Sequence, residues 1–180
     1  MTAKLIRILP IPLFILSGAY ALVYEVTWAK YLSLFIGNTT LAHMCVLAAF
    51  MGGLTLGSIF IGMMTPRLRR PLAGYGVLEL AIGMYALLFP LFIHPLQSSI
   101  LKAASGIPIG SPAWAVLKIA VAVGVLLWPT FLMGGTFPML MRHYQPGREG
   151  EDKAEWLYLA NCAGAVGGAL VAGFSLIPYM

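Results

Sequence analysis

The feature that most constrains this chain is a run of residues, 41–64, that contains no Asp, Glu, Lys or Arg at all. Four more runs are nearly as apolar: 9–36, interrupted by Glu25 and Lys30; 73–93, holding Glu79; 113–141, with Lys118 near its start; and 156–177. A hydrocarbon core about 30 Å thick needs roughly 20 helical residues, so each run is long enough to span it. Lipid offers no partner to backbone N–H and C=O groups, and runs of this length satisfy them as helices rather than as barrel strands. The expected fold is therefore all-α, a polytopic bundle of five transmembrane helices forming a single transmembrane domain over residues 1–180.

Composition closes off the alternatives. Hydrophobic residues make up 60% of the chain and charged residues 9%, against about 45–50% and about 25% in a soluble domain. That excludes a soluble enzyme, a nucleic-acid-binding module and a disordered chain. The formal charge of +5 is better explained by where the cations stand. Lys4 and Arg7 precede the first run; Arg67, Arg69 and Arg70 follow the second; Arg142, Arg148 and Lys153 follow the fourth. The links on the other side, 37–40 and 96–112, contribute only Lys102, while Lys30 and Lys118 sit near outer helix ends, where long stems reach the interface. The positive-inside rule then predicts a cytoplasmic N-terminus and an outer C-terminus. Ala19-Tyr20-Ala21 resembles a signal-peptidase site. The apolar run continues past it, however, so a retained signal-anchor helix is expected.

Small residues supply the strongest packing pattern. Gly53 and Gly57 form a GxxxG in the second run, and Ser58 with Gly62 repeats the spacing; Gly164 and Gly168, then Ala169 and Gly173, do the same in the fifth. Small residues four apart lie on one helix face and let two backbones approach closely. In the fourth run Gly134-Gly135 precedes Pro138 by a few residues, which marks 133–138 as the best candidate for a broken helix. Pro66 and Pro71 bound a basic turn. Asp152 and Glu155 have the spacing of a capping box for the fifth helix.

The intramembrane polar candidates are Glu25, Glu79, Lys118 and Asn161, with Thr27 weaker. An acid at mid-membrane costs about 2.5–3.5 kcal/mol on insertion scales, so each glutamate should face the bundle interior and have a partner. Around Glu79, Tyr75, Gly76 and Gly83 form one polar and small face; for Glu25, Lys118 on an antiparallel neighbour is the candidate partner. Either acid could fix helix register, handle a cation or proton, or meet another subunit. Tyr31, Tyr75, Trp114, Trp156 and Tyr179 read as interface anchors. Cys45 and Cys162 lie inside apolar runs, as buried fillers do. The three histidines have no ligand spacing, and no phosphate loop or nucleophile–base pair occurs, so no metal, cofactor or catalytic residue is expected.

Several of these segments resemble a family. Tyr24-Glu25-Val26-Thr27-Trp28, Gly37-Asn38-Thr39-Thr40 and residues 48–58 are similar to the membrane half of spermidine-synthase-like membrane proteins, in which a transporter-like domain is joined to an aminopropyltransferase. Leu78-Glu79-Leu80-Ala81-Ile82-Gly83, residues 129–138 and Tyr158-Leu159-Ala160-Asn161 extend the resemblance. It implies that Glu25, Glu79 and Asn161 are candidate functional residues. The family's Rossmann-like soluble domain is not among these residues, so its chemistry is not carried over. The basic turn also resembles that of major-facilitator transporters, with Thr65-Pro66 where that motif has an Asp.

Three functional expectations follow. The first is a non-catalytic subunit or platform in the inner membrane of a bacterium or archaeon, packed against other membrane subunits or a second copy, with lipid around it and no nucleic acid. The second is a transporter-like half-unit for a cationic metabolite such as a polyamine. The third is the membrane part of a split aminopropyltransferase-like enzyme, whose soluble partner docks on the cytoplasmic loops.

Overall fold

The computed structural model describes residues 10–37, 39–103, 106–108, 111–144 and 149–176. Five helices account for almost all of them: α1 (Pro10–Ile36), α2 (Thr39–Met64), α3 (Pro71–Ala103), α4 (Pro112–Tyr144) and α5 (Glu149–Val171). Each is long and apolar enough to cross a membrane, and no strand occurs among the described residues. The chain is a membrane-type helical bundle.

Local chemistry sets the turns. Gly37 takes a left-handed backbone, φ +81°, and its N–H bonds the Ser33 carbonyl at 2.9 Å. This ends α1 with the single-bond cap that glycine accommodates without a Cβ penalty. After α2, a 3₁₀ turn at Thr65–Arg67 carries Pro66, and the buried Thr65 hydroxyl bonds the Ile61 carbonyl at 2.7 Å. Proline opens α3 and α4 at positions 71 and 112, where a missing N–H costs nothing. The Ser111 hydroxyl accepts from the Trp114 N–H at 3.3 Å and so caps α4.

Several expected boundaries move. α3 continues through Pro90 and Pro95 to Ala103, so the link placed at 96–112 is helical over its first half. α5 begins at Glu149, three residues before Asp152, which removes the expected capping box. The expected break at 133–138 is absent: α4 is continuous through both Pro129 and Pro138. How α4 accommodates a proline is visible at Pro129, which cannot donate to the Val125 carbonyl one turn back. Tyr85 of α3 donates its hydroxyl to that carbonyl at 2.6 Å instead, and a helix whose freed group finds a partner need not break. Tyr85→Phe is expected to destabilise the bundle by about 1 kcal/mol. In a Pro129→Ala background the restored N–H takes over the carbonyl, and the same change should cost much less. A double-mutant cycle measured by denaturant unfolding in detergent tests this; equal costs in both backgrounds would refute the assignment.

The helices alternate in direction, so α2 runs parallel to α4 and α1 parallel to α5, and both pairs close on glycine. A Cβ on Gly57 would collide with the Phe131 carbonyl, and one on Gly134 with the Leu54 carbonyl. Gly53 lies against the Thr130 side chain and Gly135 against Ile61. On the other pair, Gly164 meets the Ile15 carbonyl, Gly168 the Ala19 carbonyl, and Gly18 the Asn161 carbonyl. Such backbone-to-backbone contact is the main source of helix association where lipid removes the hydrophobic drive. Gly62 has only ordinary contact with Pro138, 3.7 Å from its Cβ position, and Gly173 meets nothing within 4 Å, so those two are not packing positions of this kind.

Two clusters of buried side chains fill the interior. One is centred on Trp28, Leu32, Phe89 and Leu126, the other on Phe14, Tyr75, Leu140 and Leu157. Tyr75 and Trp114 therefore pack inside rather than anchor the interface, and Tyr31 lies edge-on to Phe89 with ring centroids 5.9 Å apart. Trp156 is exposed; Tyr179 lies outside the described residues, as do Lys4, Arg7 and Arg148.

Candidate functional site: a carboxylate cavity between two helices

Glu79 enters α3 about two turns from Pro71 and faces α1 at the level of Ser17. The Ser17 hydroxyl donates to a Glu79 carboxylate oxygen at 2.6 Å. The buried Tyr75 hydroxyl, one turn before Glu79 on α3, stands against the Glu79 carboxyl and the Ser17 hydroxyl. Ser17, Tyr20, Ala21, Tyr24, Glu79, Ile82, Gly83 and Met133 line a cavity of about 230 Å³. On its α1 wall the Tyr20 and Tyr24 rings stack at 6.3 Å, 21° from parallel. The expected face of Tyr75 and Gly83 is thus present at the site, while Gly76 meets nothing within 4 Å.

A second cavity, of about 280 Å³, lies across the same stretch of α1. It is mostly apolar, with Ser17, Ser58, Thr136 and Asn161 among its lining. Ser17, Ala21 and Met133 border both spaces, so Glu79 and Asn161 flank one thin wall made of small α1 residues. Asn161 also presents its carbonyl and side-chain oxygens to Gly18.

Glu25 is placed elsewhere. It is half-buried and lines a cavity of about 400 Å³ with Lys30, Ser33, His43 and Gly173, among others. It has no hydrogen-bond or ion-pair partner among the described residues. Lys118, the expected partner, is engaged at the end of α1: its ammonium donates to the Ile36 carbonyl at 3.3 Å and lies over the Phe35 and Trp114 rings at 5.6 and 5.4 Å. A cation there satisfies one of the orphan carbonyls of a helix C-terminus, which outcompetes an acid nearly three turns away. Arg67, Arg69 and Arg70 are exposed on the turn between α2 and α3. Cys45 and Cys162 are free thiols.

Sequence reasoning missed Ser17, Tyr20 and Gly18. The signal was available: Ser17, Tyr20, Ala21 and Tyr24 fall at helical i, i+3, i+4 and i+7 spacing and mark one face of α1. What could not be read was that this face meets α3 at Glu79. Chemically, the site offers one carboxylate, hydroxyl groups and two aromatic rings, with no nucleophile activated by a base.

No protein family profile, curated protein or solved structure matches this chain. The resemblance to spermidine-synthase-like membrane proteins rests on the residues quoted for it.

Proposed function

We propose that this chain is a non-catalytic integral membrane subunit that packs against partner proteins, with its N-terminus and basic turn in the cytoplasm. The observation that carries the reading is Glu25. It stands near the middle of α1, half-buried, in a cavity walled by α1, α2 and the turn at Gly173, and finds no partner among the described residues. A carboxyl group at that depth is costly unless something shields it. A helix from another protein, or from a second copy, completes the wall and supplies the missing donor. The resemblance supports the same reading, since that family's membrane half works joined to a second unit.

The setting follows from the charges. Arg67, Arg69 and Arg70 are exposed together at the end of the bundle where Arg142 stands in the last turn of α4, a grouping that the positive-inside rule assigns to a cytoplasmic face. A soluble acidic partner would dock at this turn, and the proposed setting is the inner membrane of a bacterium or archaeon.

Native mass spectrometry after extraction in mild detergent tests the reading. The expected result is a complex that Glu25→Leu dissociates or weakens, because the substitution removes the acceptor that the partner's donor meets. A stable lone monomer for the parent chain in several mild detergents would count decisively against it.

A further inference from the structure

We propose that the Glu79 cavity is a binding site for a primary alkylammonium group. The inference concerns Glu79, Ser17, Tyr20 and Tyr24, and stands whether or not Glu25 recruits a partner. Each wall of the cavity offers what such a group requires. Glu79 supplies the one carboxyl group of the cavity, held by Ser17 at 2.6 Å, and an ammonium beside it favours the ionised form that accepts its N–H. The stacked Tyr20 and Tyr24 rings line the same space, and aromatic faces attract a desolvated cation by about 2 kcal/mol or more. The buried Tyr75 hydroxyl stands beside the Glu79–Ser17 pair and interacts with both, which fixes the position of the carboxyl group at the edge of the cavity.

Size and donor set choose among cations. About 230 Å³ exceeds by far the roughly 10–15 Å³ that one water needs, yet falls below the roughly 300 Å³ at which drug-sized pockets begin. A small alkylammonium, with its apolar carbons against Ala21, Ile82 and Met133, suits that volume. A bare metal ion suits it poorly, because hard cations seek six or more oxygens, and no three His, Cys, Asp or Glu cluster among the described residues.

The same headgroup chemistry comes from a free amine or from the ethanolamine end of a lipid. The test uses the full chain in detergent and in phosphatidylcholine nanodiscs, titrated calorimetrically with ethylammonium chloride, with ethanol as the neutral counterpart. Expected are saturable binding of ethylammonium, none of ethanol, and at least a tenfold weaker affinity for Glu79→Gln, which keeps the size of the side chain and the bond from Ser17. Glu25→Gln should bind as the parent does. Tyr20→Leu, at a ring that is 53% exposed and so removable without unfolding, should weaken binding severalfold; it also keeps the proposal testable if Glu79→Gln fails to fold. Adding phosphatidylethanolamine to the nanodiscs assigns the source: competition points to the lipid headgroup, and its absence to a free amine, both as expected of an ammonium site. Absence of ethylammonium binding, unchanged affinity in Glu79→Gln or Tyr20→Leu, or displacement by sodium at equal concentration would overturn the proposal.

Discussion

Replacing Gly57 by alanine is expected to cost about 2–4 kcal/mol, although alanine is the better helix former by about 1 kcal/mol. The added methyl has nowhere to go. Its carbon would fall on the Phe131 carbonyl oxygen, with the Gly134 Cα 3.1 Å away. Both are backbone atoms of α4, which no rotamer change can move. α2 and α4 must separate, and the separation is felt along the whole crossing: the Gly53–Thr130 and Gly134–Leu54 contacts loosen together, and van der Waals packing of this kind is what membrane helices associate by. The Thr130 hydroxyl, fully buried, bonds the Leu126 carbonyl at 2.8 Å and stands 3.4 Å from the Ala49 carbonyl of α2, so it loses its cross-helix neighbour as well. Gly76 supplies the control. A Cβ there meets nothing within 4 Å, and Gly76→Ala should be neutral or stabilise by up to about 1 kcal/mol through propensity alone. Unfolding in mixed detergent micelles measures both. Equal stabilities for the two variants would mean that the α2·α4 crossing is not the close contact described.

How much of this was legible in the sequence depends on how far each feature reaches along the chain. The five spans were legible because apolar length is a property of each segment by itself, and 41–64 needs no neighbour to be recognised. The GxxxG at Gly53 and Gly57 and the pair Gly164 and Gly168 were legible as close-packing faces, yet which helix each face meets was not. The errors have one origin. The break expected at 133–138 is absent: local pattern shows only what a proline removes, and at the neighbouring Pro129 the hydroxyl that makes good such a loss belongs to Tyr85, forty residues away. Lys118 was paired with Glu25 by charge, whereas the α1 terminus supplies a carbonyl and two rings closer to its ammonium. At the candidate site Glu79 was found, and half of its own helix face with it. Ser17 and the stacked tyrosines on α1 became part of the site only through the meeting of α1 with α3, a pairing that neither segment's own pattern announces.

Trp28→Ala is expected to be the most damaging change near that site, at about 3–5 kcal/mol, the usual range for removing a large aromatic from a core. Trp28 is 2% exposed. It stacks on Tyr24 at 5.5 Å, meets Tyr85 edge-on at 6.1 Å and lies against Phe89 at 5.6 Å, contacts worth about 0.5–1.5 kcal/mol each beyond the buried area. No flexible neighbour can refill the space, because Tyr85 is held through its bond to Val125 and Tyr24 through its stack on Tyr20. Trp128 gives the comparison: it stacks on Phe131 at 6.5 Å but is 62% exposed, and Trp128→Ala should cost under about 1 kcal/mol. The consequence reaches the cavity. Tyr24 lines the Glu79 space and stands in a column between Tyr20 and Trp28, so losing the indole frees Tyr24 to turn away from the cation site. Trp28→Phe, which keeps a ring behind Tyr24, should retain most of the stability and most of the ethylammonium affinity, whereas Trp28→Leu should lose affinity even where it remains folded. Retention of full affinity in Trp28→Leu would show that the tyrosine wall is held by something other than the aromatic column behind it.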